Sequence, residues 1–143
     1  MPVLMKGVAD SGYSGTPLPK KLGIKAGNRV FVTGAPKAYR KLLTPLPAQV
    51  SFKDKAGPDV DIAQVFVTEK EELAKLLADL RKKLNSSAAL WVSWPKKTAR
   101  VATTVDEDTI RALALPLGFV DIKVCAVDQV WSGLKLVIRK ELR

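Results

Sequence analysis

Apolar positions along this chain switch between strand-like runs and helical spacing, and the switches lay out the fold. Arg29-Val30-Phe31-Val32-Thr33 is a short run with two β-branched valines and reads as a strand buried on both faces. Gly34 marks a tight turn and Pro36 suits the start of a helix, where its missing N–H is no loss. Tyr39, Leu42 and Leu43 then recur at i, i+3 and i+4, one face of that helix. Strand, glycine turn and helix together form the opening unit of a doubly wound α/β sheet.

The remaining elements follow in order. Residues 1–16 are Gly/Ser-rich and read as an irregular N-terminal arm, leaving residues 17–143 as a single α/β domain. Thr16 and Pro17 open a short helix through Leu22, which Gly23 ends. Pro45 and Pro47 stop the helix after the first strand, and Ala48–Lys53 alternates weakly around Val50 and Phe52 as a second strand. Asp61–Val67 predicts a third strand. Thr68-Glu69-Lys70-Glu71 has the form of a capping box, and Leu73, Leu76, Leu77, Leu80 and Leu84 continue it as a long amphipathic helix. Ala88–Trp94 predicts the fourth strand, ended by Pro95. Thr104-Val105-Asp106-Glu107 repeats the capping pattern before a helix through Ile110 and Leu113, which Pro116 stops. Phe119–Asp128 and Leu134–Lys140 close the chain as a hairpin around residues 129–133.

Composition narrows the chemistry. The chain has no histidine and one cysteine, Cys125, which removes Ser–His and Cys–His nucleophile pairs and most metal sites. A single cysteine excludes an internal disulfide and fits a reducing compartment. With no apolar run of membrane-spanning length and no basic-then-apolar leader, the expectation is a cytoplasmic protein that does not enter a membrane. Charge is uneven. Of a net +10, residues 1–55 hold ten Lys/Arg against two acidic residues, Asp10 and Asp54. Such a half suits an anionic partner, or simply a well-solvated surface.

The order β-α-β-β-α-β-α-β-β implies a mostly parallel six-stranded sheet with right-handed crossovers, helices on both faces and a C-terminal antiparallel hairpin. That order resembles a shortened class I methyltransferase, a Rossmann-like fold. Several blocks, among them Gly12-Tyr13-Ser14-Gly15-Thr16-Pro17-Leu18, Leu90-Trp91-Val92-Ser93-Trp94-Pro95-Lys96-Lys97 and Lys123-Val124-Cys125-Ala126-Val127-Asp128, also resemble a bacterial family of small single-domain proteins catalogued as a domain of unknown function. That resemblance spans residues 12 to 140 and brings no activity with it.

Two candidate sites emerge. The methyltransferase resemblance implies that S-adenosylmethionine would lie over the carboxyl ends of the first strands, on Gly34, Ala35 and Asp54. The turn reads Gly34-Ala35-Pro36-Lys37-Ala38 where methyltransferases usually carry G-x-G-x-G, and the strand and helix completing an adenine pocket are missing around residues 55–60. A simple strand-to-helix turn explains the same residues. The second constellation follows from topology: parallel strands deliver their carboxyl ends to one rim, collecting Lys37, Trp94, Lys96, Lys97, Arg100 and Trp131. Aromatic faces beside ammonium groups suit a nucleotide or nucleic acid, whereas tryptophans capping a core and solvated lysines need no ligand. Trp91 reads as core, Cys125 as a buried inert thiol, and Asp106-Glu107-Asp108 as charges complementing a helix dipole. The expectation is therefore a non-catalytic module for an anionic ligand, with no cofactor. The alternatives are a methyltransferase with a degenerate cofactor turn, the one enzyme activity entertained, and a protein-interaction domain.

Overall fold

The computed structural model describes residues 15–143, so most of the arm expected over 1–16 lies outside the described residues. Six strands form one sheet: β1 (Arg29–Thr33), β2 (Ser51–Lys53), β3 (Ile62–Phe66), β4 (Ala89–Pro95), β5 (Phe119–Ala126) and β6 (Trp131–Ile138), in the spatial order β2-β1-β3-β4-β6-β5. β1 pairs in parallel with β2 and β3, β3 pairs in parallel with β4, and β6 runs antiparallel between β4 and β5. The mostly parallel sheet with an antiparallel C-terminal pair is the arrangement the element order implies.

The helices are α1 (Leu18–Leu22), α2 (Tyr39–Leu42), α3 (Lys70–Lys83) and α4 (Glu107–Ala114), with a 3₁₀ turn over Lys97–Ala99. α3 and α4 cover one face. Leu73, Leu77 and Leu80 of α3 and Ile110 and Ala114 of α4 pack there on Ala63, Val65, Leu90 and Val92. α1 and α2 cover the other face, where Leu18, Leu22 and Tyr39 meet Val30, Ile62, Phe66 and Trp91. The alternation of β1 splits its side chains between the two clusters, Phe31 to the first and Val32 to the second.

Four local expectations are corrected. β1 is less buried than its sequence suggests: Val30 is closed off but Phe31, Val32 and Thr33 are half-exposed, because the neighbouring β2 is only three residues long. The first capping box does not form. Glu69 takes the N-cap position without a side-chain bond, and the Lys70 N–H instead donates to Thr104 Oγ1 at 2.7 Å from across the fold. With Thr104 so employed, Asp106 caps α4, accepting from the Thr109 N–H at 2.8 Å. Finally, Trp131 belongs to β6 rather than to the turn, because Asp128 Oδ1 accepts from the Val130 and Trp131 N–H groups and tightens the hairpin.

Candidate functional site

The polypeptide leaving β1 makes the first wall. Gly34 has φ +78°, and a Cβ there would lie 2.6 Å from the Phe66 carbonyl oxygen, so the turn is pressed against the end of β3. The glycine is therefore required by strand packing, independently of any ligand. α2 begins only at Tyr39, with its N–H bonded to the Pro36 carbonyl at 3.0 Å. Four residues of helix offer no useful dipole, and Pro36 offers no N–H. The side chains around this turn therefore matter most for any ligand there.

Those side chains enclose a cleft of about 310 Å³ at the carboxyl ends of β1 and β2, lined by Val32, Ala35, Pro36, Tyr39, Arg40, Phe52, Lys53 and Asp54. Its size is at the lower end for small-molecule sites. The Arg40 guanidinium lies 3.6 Å above the centroid of the Phe52 ring, a cation–π stack that forms one side. Lys53 Nζ pairs with Asp59 at 2.9 Å, and hydrogen bonding from Lys53 holds the Asp59 carboxyl below its usual range. Asp54 is exposed and forms no ion pair among the described residues.

The inner wall is polar and closed. Tyr39 is 2% exposed and its hydroxyl donates to Gln64 Oε1, while Gln64 Nε2 donates to Ser93 Oγ at 2.9 Å. Burial raises the Tyr39 phenol well above the ordinary tyrosine range, so it stays a fixed donor and is no base at neutral pH. From Tyr39 a row of rings follows the rim: Tyr39 to Phe66 at 5.0 Å and Phe66 to Trp131 at 5.2 Å, both edge-to-face.

The residues predicted from sequence separate into groups. Ala35 and Asp54 line the cleft together, and Gly34 shapes its entrance. Lys37 is exposed in the same turn. Trp94 and Trp131 leave the same rim but on opposite faces: Trp94 is 7% exposed beneath α3 and α4, and Trp131 is half-buried on the face of α1 and α2. The alternation of β4 dictates this, because Trp131 pairs with Pro95 and not with Trp94. Lys96 is half-exposed, and Lys97 and Arg100 are exposed, in the loop after β4. That loop is fastened at both ends, by Lys96 N–H to the Val130 carbonyl (2.7 Å) and by Thr103 Oγ1 and Thr104 N–H to the Thr68 carbonyl (2.7 and 2.9 Å). Trp91 is fully buried, its Nε1–H donating to the Leu22 carbonyl at 3.0 Å. Cys125 is half-buried, and burial raises its thiol above the usual value.

Sequence reasoning missed Arg40, Phe52 and the Tyr39–Gln64–Ser93 chain. One signal was present: Gln64 is the lone polar residue in Ile62–Phe66, and a buried amide needs partners. No group of three metal-ligating side chains occurs among the described residues, and none of their helices is long and apolar enough to cross a membrane.

No family model and no curated protein matches this sequence. Solved structures do match its fold. A SAM (S-adenosylmethionine) dependent methyltransferase from Aquifex aeolicus is 17% identical with a TM-score of 0.63, covering 83% of this chain and 86% of its own. The M1A22 tRNA methyltransferase of B. subtilis is 13% identical with a TM-score of 0.55, covering 90% and 68%. Aeropyrum pernix fibrillarin, solved with natively bound S-adenosylmethionine, is 16% identical with a TM-score of 0.51, covering 89% and 71%. At these identities the likeness is one of fold, and it places this sheet among methyltransferase-like Rossmann architectures.

Proposed function

We propose that this protein is a non-catalytic binding module for a nucleotide, held in the cleft at the carboxyl ends of β1 and β2. The observation that carries this reading is the cleft's position and lining. It lies beside β1, where the strand order reverses between β2 on one side and β3 on the other, the usual ligand position in open α/β sheets. Arg40, held flat on the Phe52 ring, supplies a planar, pre-oriented cation for a phosphate. Asp54 supplies an acceptor for ribose hydroxyls. Tyr39, locked in its neutral form, cannot act as a base there, and the carboxylate in the lining, Asp54, is given to the ribose.

A second reading, S-adenosylmethionine in the same cleft, is favoured by Ala35 and Asp54 lining it together and by the fold likeness. S-adenosylmethionine would set its cationic groups beside Arg40, whereas the phosphate of a nucleotide would pair with that guanidinium, and Asp54 would serve the ribose of either. Pro36 also withholds the backbone donor that a glycine-rich turn would offer.

Calorimetric titration with AMP and, separately, with S-adenosylmethionine tests both. The expected result is AMP binding that weakens by roughly 10- to 100-fold in Arg40→Ala, the range for a hydrogen bond to a charged group. Asp54→Ala should weaken AMP but not inorganic phosphate. Absence of AMP binding overturns the nucleotide reading. S-adenosylmethionine binding more tightly than AMP, unaffected by Arg40→Ala, selects the second.

A further inference from the structure

We propose that the cleft is one end of a longer track whose ligand is single-stranded nucleic acid; this deepens the nucleotide reading and rests on it. The ring row is the first support. Ring-to-ring steps of 5.0 and 5.2 Å run from Tyr39 in the cleft wall through Phe66 to Trp131; Tyr39 and Phe66 are 2% and 5% exposed, so the row fixes the seat of Trp131 at the rim and Trp131 alone offers a face to a base. Trp131 is the outer, partly exposed member, while Trp91 and Trp94 are 0% and 7% exposed and can stack on nothing from outside.

Cations at both ends of that row are the second support. Lys37, Arg40 and Lys41 follow β1, and Lys96, Lys97 and Arg100 follow β4. None of the six forms an ion pair among the described residues. Only β3 separates β1 from β4, so at ordinary strand spacing the two groups originate about 10 Å apart. The far group sits on a loop tied to the hairpin turn and to Thr68, so its presentation is built in.

A row of unpaired cations beside an open ring matches phosphates that repeat along a flexible strand whose bases are free to stack. A duplex keeps its bases stacked inside and would use the charges only. An acidic peptide would likewise use the charges and leave Trp131 idle.

The test compares oligothymidylate with thymidine monophosphate on the full chain, following intrinsic tryptophan emission. The oligonucleotide should bind at least about tenfold more tightly, quench Trp131, and lose affinity with salt at a log–log slope of about −0.7 per contacted phosphate. Joint replacement Lys96→Glu, Lys97→Glu and Arg100→Glu should weaken the oligonucleotide by at least about tenfold and leave the monophosphate unchanged. Trp131→Leu should abolish quenching and weaken the oligonucleotide only. Should that variant unfold by circular dichroism, the exposed-charge variant decides alone. Monophosphate binding with no gain from the longer strand overturns the track and leaves the cleft. Oligonucleotide binding without monophosphate binding overturns the cleft and leaves the charged rim. A duplex or an acidic peptide competing as well as the single strand overturns the proposed ligand.

Discussion

The two faces of the sheet are built by different rules. Beneath α3 and α4 the buried cluster is wholly apolar, from Val60 to Ile138, and its cover is one helix of 14 residues and one of 8. Beneath α1 and α2 the cover is 5 and 4 residues long. The buried polar side chains among the described residues, Lys21, Gln64 and Ser93, all lie on that thinner side, together with the aromatic row and the cleft. Long amphipathic helices remove a whole face from water. Short ones leave gaps at the carboxyl rim, and polar groups in those gaps need partners. Stability therefore rests mainly on the dry face, and the proposed recognition falls to the other.

Substitutions can break or sharpen that division. The largest effect belongs to Leu77→Ala on the dry face, expected to destabilise by about 2–5 kcal/mol in denaturant unfolding, since Leu77 is fully buried. A loss below 1 kcal/mol would deny that face its role. Gly34→Ala comes next: φ +78° and the close Phe66 carbonyl demand about 1–3 kcal/mol of strain, visible as a lowered melting temperature together with a distorted cleft.

Tyr39→Phe leaves Gln64 Oε1 without its donor and should cost about 1–3 kcal/mol at neutral pH. Its pH dependence is diagnostic. Because burial raises the folded-state phenol pKa, the native protein holds this proton more tightly than the unfolded chain does. The stabilisation is complete below the ordinary phenol value of about 10 and is lost as pH rises above it, so the wild type should weaken in alkali more steeply than the variant. Parallel stability curves would remove Tyr39 from the polar wall. Thr104→Ala should cost about 1 kcal/mol, as for a lost helix cap, without altering ligand affinity. At the bottom of the scale, exposed Arg40→Ala should leave stability within about 0.5 kcal/mol while weakening AMP. That divergence between folding and binding is what the two-face division predicts.

Legibility in the sequence divided along the same line. The dry face could be read residue by residue, because Leu73, Leu77 and Leu80 repeat at helical spacing and β3 and β4 are nearly continuous apolar runs. The site was read only in part. Gly34 and Ala35 in the turn after the first strand and Asp54 at the end of the second were named through the methyltransferase resemblance; Ala35 and Asp54 line the cleft and Gly34 sits in the adjoining turn. Arg40 and Phe52 escaped notice because they are 12 positions apart and meet only when β2 folds back beside β1.

Order of elements, parallel pairing, the closing hairpin and the burial of Trp91 were determined by the chain itself, since period, turn residues and short connections are local quantities. Tertiary structure decided the rest. It turned Trp94 inward and left Trp131 partly exposed, gave Lys70 a cap from Thr104, and stacked Arg40 on Phe52. Each of those outcomes depends on register and on which strand lies alongside which. A one-residue change of pairing reverses the face a side chain occupies, and such pairing is settled only by the whole packed sheet.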